Sequence, residues 1–285
     1  MYEFRQDIIN KNWVLIAETR RDRPTDYQQI PATPSGLPEI SDQCVFCPGN
    51  EQLTRSDVEI ARYPKKPAPS NDGGDWLVRV VPNKYEAVDH YIGKRHEDFY
   101  ISRPGMGDHE VVITRSHNKP TALQDVELID LTLRVYIDRI NDLKEHDEVQ
   151  YVHIIQNHGV QAGASLAHPH SQIFAIPFMP DRIRDELTGT RNYFEVNGAC
   201  VYCEMILHEL RVNERVVIDT PDFLVAAPYA SKMPFELHIL PKRHRASFHE
   251  MTISERKGLA RVMRDVFSRL YERMRNPAYN YYIHT

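Results

Sequence analysis

Glu110-Val111-Val112-Ile113-Thr114-Arg115-Ser116-His117 and Glu236-Leu237-His238-Ile239-Leu240-Pro241-Lys242-Arg243-His244 each read as a short apolar strand running up to a histidine. A long amphipathic segment follows each. Ile129, Leu133, Tyr136, Ile140 and Leu143 recur at threes and fours in the first, and Leu259, Met263, Val266, Leu270 and Met274 in the second. That spacing is the buried stripe of an α-helix. The second helix begins with the capping-box pattern Thr252-Ile253-Ser254-Glu255 and ends near Asn276-Pro277. A strand follows each helix, at 150–155 and 279–283. Upstream, Trp76-Leu77-Val78-Arg79-Val80-Val81-Pro82 is echoed by Phe223-Leu224-Val225-Ala226-Ala227-Pro228, and a C-x2-C pair precedes each. The same order of elements therefore occurs twice, and an internal duplication is the simplest explanation.

The duplication divides the chain into an N-terminal half, 1–195, and a C-terminal half, 196–285. The interval from His117 to His244, applied to His168 and His170, places their counterparts past Thr285, so either the second half lacks its last strand or, the preferred reading, the sequence is a shortened form of a longer protein. With 285 residues, 41% hydrophobic content and a formal charge of -5, the chain can bury one large core or two smaller ones. Its mild acidity argues against a duplex nucleic-acid binder. No charged leader followed by an apolar run opens it, and no stretch approaches a membrane span. The expectation is a soluble, cytoplasmic enzyme, in which paired cysteines bind metal or do redox work. Segments 24–41, 65–74 and 103–107 read as loops, and no Gly-rich dinucleotide or P-loop signature occurs.

The chemistry is concentrated in Asn157-His158-Gly159 and Gly163-Ala164-Ser165-Leu166-Ala167-His168-Pro169-His170-Ser171-Gln172, which leads into the apolar strand Ile173-Phe174-Ala175-Ile176. In an extended segment His168 and His170 point to one face and serve one site. The neutral imidazole of His170 is suited to attack phosphorus and form a reactive phosphoramidate; the competing reading makes both histidines metal ligands or members of a polar cluster. Ser165 and Gln172 can donate to phosphate oxygens, and Gly159 and Gly163 permit close backbone approach. Cys44 and Cys47 can bring two thiolates to one zinc or iron ion, with His117 and His168 as the best candidates for the remaining ligands, unless they are ordinary thiols. Cys200, Cys203 and His244 form the duplicate, incomplete set. Arg20 and Arg23 offer guanidiniums to phosphate, or form a solvated basic turn. Asn83 reads either as a nucleobase or ribose contact or as a turn residue.

Asn157-x5-Gly163-x-Ser165-x2-His168-Pro169-His170-x-Gln172, with Cys44-x2-Cys47, His117-x-Lys119, Trp13-Val14-Leu15-Ile16 and Arg20-x2-Arg23-Pro24, resembles the galactose-1-phosphate uridylyltransferase family of the histidine-triad superfamily. The resemblance runs from about residue 4 to the end. It implies an α/β (α+β) fold in which two histidine-triad-like repeats share a large, mainly antiparallel half-barrel sheet with helices packed on it. It further implies that His170 takes a uridylyl group from UDP-glucose and passes it to a sugar 1-phosphate by a ping-pong cycle. Zinc would sit on Cys44, Cys47, His117 and His168. Gln172 and Ser165 would contact the phosphoryl oxygens, and Arg20, Arg23, Asn83 and Asn157 the nucleotide phosphates and ribose. The family also implies a homodimer. Ala164-Ser165 stands where many members carry Cys-Ser, and Ala-Ser-x-x-His-x-His-Ser-Gln is also similar to the ADP-glucose phosphorylase branch, which moves an adenylyl group to phosphate. Two other readings are a histidine-triad nucleotide hydrolase and a noncatalytic zinc-binding module. Gln172, where hydrolytic triad proteins place another histidine, favours transfer, and the module would leave His170, Ser165 and Gln172 unexplained.

Overall fold

Runs of β-branched and aromatic residues form the strands, and the two striped segments form the central helices. The computed structural model describes residues 2–17, 36–64, 76–88, 90, 96–97, 99, 101–102 and 105–285. In chain order the strands are β1 (Tyr2–Gln6), β2 (Trp13–Ala17), β3 (Ala61–Pro64), β4 (Trp76–Pro82), β5 (His96–Glu97), β6 (Ile101–Ser102), β7 (Asp108–Thr114), β8 (Tyr151–His158), β9 (His170–Ile176), β10 (Val216–Asp219), β11 (Phe223–Ala226), β12 (His238–Pro241) and β13 (Tyr279–Ile283). The helices are α1 (Val126–Leu143), α2 (Asp181–Asn197), α3 (Val201–Val212) and α4 (Ile253–Met274).

Two compact units are present. The larger comprises 31–178 with 247–285, the smaller 1–30 with 179–246. The larger is built on a six-stranded sheet in the order β13-β8-β9-β7-β4-β3, antiparallel at every step. β13, from the C-terminal end of the described chain, thus joins five strands that lie between residues 61 and 176. α1 and α4 lie against each other on this unit. All five residues read as the stripe of α1 are buried, as are Leu259, Met263 and Val266 of α4. The capping box of α4 is present: the Glu255 N–H donates to the Thr252 hydroxyl, and the Thr252 N–H to the Glu255 carboxylate. Arg275 and Asn276, both at positive φ, end the helix just before Pro277.

Along β9, burial alternates: Ser171, Ile173 and Ala175 are buried, while His170, Gln172 and Phe174 are half-buried. The buried set is tied to α1, because the Tyr136 hydroxyl donates to Ser171 Oγ at 2.8 Å. One strand further, Arg139 of α1 grips Glu110 of β7 with two hydrogen bonds of 2.8 and 2.7 Å. The opposite face is the one that carries the site.

In the smaller unit β1 and β2 form a hairpin and β10-β11-β12 a separate three-stranded antiparallel sheet. Gly189 of α2 is required there, since a Cβ would come within 2.0 Å of the Ile9 carbonyl oxygen. Neither α2 nor α3 has the clear stripe that marks α1 and α4, and α2 has no buried residue. Two expected strand ends fall short. β7 stops at Thr114 and β12 at Pro241, so His117 stands on the turn, and His244 in the irregular segment, that follows, not on strands. A turn lets the imidazole swing back toward the cysteines, which a side chain continuing the strand's alternation would not do. Among the described residues no helix is long and apolar enough to cross a membrane.

Candidate active site

Cys44 and Cys47 lie on a tight turn in which the Cys47 N–H donates to the Cys44 carbonyl. Asn50 ties this turn down by donating its amide to the carbonyls of Ser41, Asp42 and Cys44. The turn holds both sulfurs inward, and Cys47 is fully buried. The structure brings Cys44, Cys47, His117 and His168 together, with their four donor atoms all within 4.8 Å of one another. His168 Nδ1 lies 3.6 Å from Cys44 Sγ and 3.5 Å from Cys47 Sγ, and His117 Nδ1 lies 3.5 Å from Cys47 Sγ. A tetrahedral ion with metal–sulfur bonds of about 2.3 Å and metal–nitrogen bonds of about 2.0 Å needs sulfur–nitrogen separations of roughly 3.6 Å. The donor set therefore fits a metal ion. His168 is also oriented as a ligand, because its Nε2–H donates to the Thr114 carbonyl at 2.6 Å, which leaves Nδ1 bare and aimed at the thiols. Burial pushes the His168 pKa down to about 4 and the Cys47 thiol up to about 11, so the protein alone holds the imidazole and thiol neutral. Metal binding would displace the thiol proton.

Two residues on, His170 opens β9. Its Nδ1 lies 2.8 Å from the His168 carbonyl oxygen, which can only accept. Nδ1 therefore carries the proton, and Nε2 presents a bare lone pair. Burial lowers the His170 pKa and favours this neutral, nucleophilic form. Phe46, between the two cysteines, touches both imidazoles edge-on, at 5.9 Å from His168 and 5.1 Å from His170. Strand pairing places Val111 opposite Gln172 and Ile113 opposite His170. On the other side Ile155 is opposite Gln172, and Asn157 lies two residues further along β8 on the same face. Ser165 is exposed on the loop between β8 and β9, whose tight path uses Gly159 and Gly163 at φ +82° and +83°.

Three contributors were not legible as site residues. Asn280 of β13 pairs directly with Asn157 and donates its amide both to Asn157 Oδ1, at 2.6 Å, and to the Ala162 carbonyl, at 2.8 Å. It thereby anchors the loop that carries Ser165. His109 of β7 touches Gln172 and Asn83. Asn50 secures the cysteine turn. For His109 and Asn280 the signal in the sequence was a polar residue within a strand, as in Asp108-His109-Glu110 and Tyr279-Asn280-Tyr281.

In the smaller unit Cys200, Cys203 and His244 form a three-donor group, with Cys203 Sγ 3.4 Å from His244 Nδ1. It is more exposed than the four-donor group, and Cys200 caps α3 while Cys203 lies in its first turn. Arg20 and Arg23, most of the loop 24–41, the loop 65–74 and part of 103–107 lie outside the described residues.

An antiparallel sheet that presents one bare imidazole nitrogen beside amide donors, next to a Cys2His2 group, is suited to nucleophilic attack on phosphorus, and the family and relatives of the chain make it a nucleotidyltransferase. The chain matches the family description "Galactose-1-phosphate uridyl transferase, N-terminal domain" over residues 2–180 and "Galactose-1-phosphate uridyl transferase, C-terminal domain" over residues 186–281. It belongs to the galactose-1-phosphate uridyl transferase family. It is 32% identical to ADP-glucose phosphorylase of Arabidopsis thaliana, over 99% of this chain and 78% of that one. It is 30% identical to galactose-1-phosphate uridylyltransferase of Thermotoga maritima, over 99% of this chain and 79% of that one. The crystal structure of an ADP-glucose phosphorylase from Arabidopsis thaliana with bound ADP-glucose is similar with a TM-score of 0.82 at 30% identity, covering 100% of this chain and 82% of that one. A uridylyltransferase structure is similar with a TM-score of 0.66 at 26% identity, covering 93% of this chain and 73% of that one.

Proposed function

We propose that the protein transfers a uridylyl group from UDP-glucose to a hexose 1-phosphate, such as galactose 1-phosphate, through a uridylyl-histidine on His170. The observation that carries this reading is the tautomer of His170: with Nδ1–H engaged by the His168 carbonyl, Nε2 is the nucleophile. In the first step its lone pair attacks the α-phosphorus, a nitrogen–phosphorus bond forms, and the bond from phosphorus to the bridging oxygen breaks. Glucose 1-phosphate leaves as an anion that needs no proton. In the second step a phosphate oxygen of the acceptor attacks the same phosphorus, and the imidazole leaves neutral. Two in-line displacements retain configuration overall.

Gln172 and Ser165 are assigned to the nonbridging oxygens, where donors stabilise the transferring group. Asn157, Asn83 and Gly163, together with Arg20 and Arg23, are assigned to the nucleotide's phosphates and ribose. Cys44, Cys47, His117 and His168 would hold zinc. Four protein donors would close its coordination, so the zinc would supply rigidity to the turn and strand that present His170 and would not activate water. A second ion on Cys200, Cys203 and His244, a 1–195 and 196–285 division into repeats, a homodimer and a cytoplasmic location complete the proposal.

Similarity to the Arabidopsis thaliana ADP-glucose phosphorylase supports a second reading, in which the same histidine carries an adenylyl group to phosphate. Intact-protein mass spectrometry after incubation with UDP-glucose or ADP-glucose, at neutral to alkaline pH where a phosphoramidate survives, separates the two. A uridylyl increment is expected, absent from His170→Asn, with the variant's metal content unchanged. An adenylyl increment alone would replace the first reading by the second. An adduct persisting in His170→Asn would overturn the covalent assignment.

A further inference from the structure

His109 is a buried histidine on the face of the sheet that carries His170. Its ring stacks on Phe174 at 4.0 Å between centroids. The Ala87 backbone N–H donates to its Nδ1 at 3.0 Å. A backbone N–H can only donate, so Nδ1 holds the lone pair and Nε2 the proton. That Nε2 lies 2.9 Å from Gln172 Oε1. The Gln172 carbonyl is therefore occupied by His109, and its NH2 group is directed elsewhere.

Hydrogen bonding fixes Asn83 in a similar way. The Tyr85 N–H donates to Asn83 Oδ1 at 2.9 Å, which turns the Asn83 NH2 toward His109 Nε2, 3.0 Å away. Since Nε2 already carries a proton, it offers no lone pair to that amide. Gln172 thus meets the imidazole N–H with its carbonyl and Asn83 with its NH2, and among the described residues neither NH2 group meets an acceptor able to take its protons. An oxygen-rich anion answers that surplus of donors.

We propose that His109 is a positioning residue, a neutral Nε2–H latch that turns the amide of Gln172 so that its NH2 group, alongside that of Asn83, presents donors to the phosphate oxygens of the bound nucleotide. Burial lowers the His109 pKa and keeps the ring neutral, as the latch needs. The latch rests on the proposed transfer for its catalytic consequence, not for its geometry. His109 touches no reacting atom. Its loss should therefore cost less than the roughly 100-fold that follows removal of a donor to developing charge itself.

The test uses the full chain and three variants. His109→Phe keeps the ring stack and removes both nitrogens; His109→Gln restores an N–H near the Nε2 position; Gln172→Ala removes the amide to be oriented. Single-turnover nucleotidyl-enzyme formation is expected to slow about 10-fold in His109→Phe, with donor KM changed by less than about twofold, and to recover most of its rate in His109→Gln. In the Gln172→Ala background, His109→Phe should cost almost nothing more, because the group it orients is gone. An equal cost in both backgrounds, or no recovery in His109→Gln, would overturn the latch. A readout without turnover is 15N-histidine NMR, with the His109 signal identified by its loss in His109→Gln. An Nε2-protonated neutral ring at pH 7 supports the latch, and an Nδ1-protonated or doubly protonated ring refutes it. If the wild-type protein forms no adduct with either donor, the transfer reading fails while the NMR signal still decides the latch.

Discussion

Replacing Cys47 by Ser tests whether the four-donor group is a closed metal site that braces the reacting strand. Cys47 is fully buried; its sulfur lies 3.5 Å from the Nδ1 atoms of both His117 and His168 and accepts the Ser41 N–H at 3.2 Å. Serine keeps an acceptor for Ser41, but its hydroxyl is a hard, protonated group and a poor ligand for a thiophilic ion. Structural zinc in a four-ligand site binds with about 10–16 kcal/mol, so losing one of four donors removes on the order of 3–4 kcal/mol, or about 100- to 1000-fold in affinity. When the wild-type site is loaded, that energy also stabilises the fold, and for a chain of this size its loss lowers Tm on the order of 10 °C. Metal content after dialysis against a competing chelator gives the first number, and calorimetry the second. Adduct formation on His170 should persist in freshly loaded variant and decline as metal is withdrawn. Unchanged metal affinity in Cys47→Ser would refute the assignment outright. Loss of adduct with full metal retention would show that the cysteine acts on the chemistry directly.

The Arg139–Glu110 pair joining α1 to β7 is buried at both ends. Arg139→Met leaves Glu110 without its partner and should destabilise the protein by about 3–5 kcal/mol in urea unfolding, much of it recovered by adding Glu110→Leu; a cost near zero for the single variant would mean that Arg139 is not compensating a buried charge. The pH dependence follows from histidines that burial holds below their usual pKa, among them His109, His153 and His158. Their lowered folded-state values mean that the unfolded chain takes up protons first as pH falls below about 6.5, so stability present above that pH is progressively lost on acidification. Calorimetry from pH 7 to 5 should show a falling Tm with a shallower slope in His153→Phe; an unchanged slope would exclude His153 as a contributor.

Several features of the fold were legible because they are local. The stripes of α1 and α4 repeat within a few turns, the capping box spans four residues, and Ile173–Ile176 continues from the histidine pair as a strand. α2 and α3 escaped because neither carries a clear apolar stripe. Two strands read as running up to His117 and His244 stop earlier, since an imidazole that swings back to a cysteine requires the chain to leave the strand. Asn280 and His109 escaped for another reason: each is an ordinary polar residue on a strand until β13 pairs with β8 and β7 with β9.

The recurring order of elements, the residue types gathered around His170 and the two C-x2-C pairs can all be read from the chain in one dimension, because recurring patterns and short spacings are properties of the order of residues alone. Folding in three dimensions was needed to show that Cys44 and Cys47 meet His117 and His168, that β13 pairs with β8 in the large sheet, and which nitrogen of His170 is free. Those outcomes depend on contacts between residues many tens of positions apart, and on carbonyls such as those of Thr114 and His168 whose direction is set by strand and turn geometry and not by the identity of the residue that carries them.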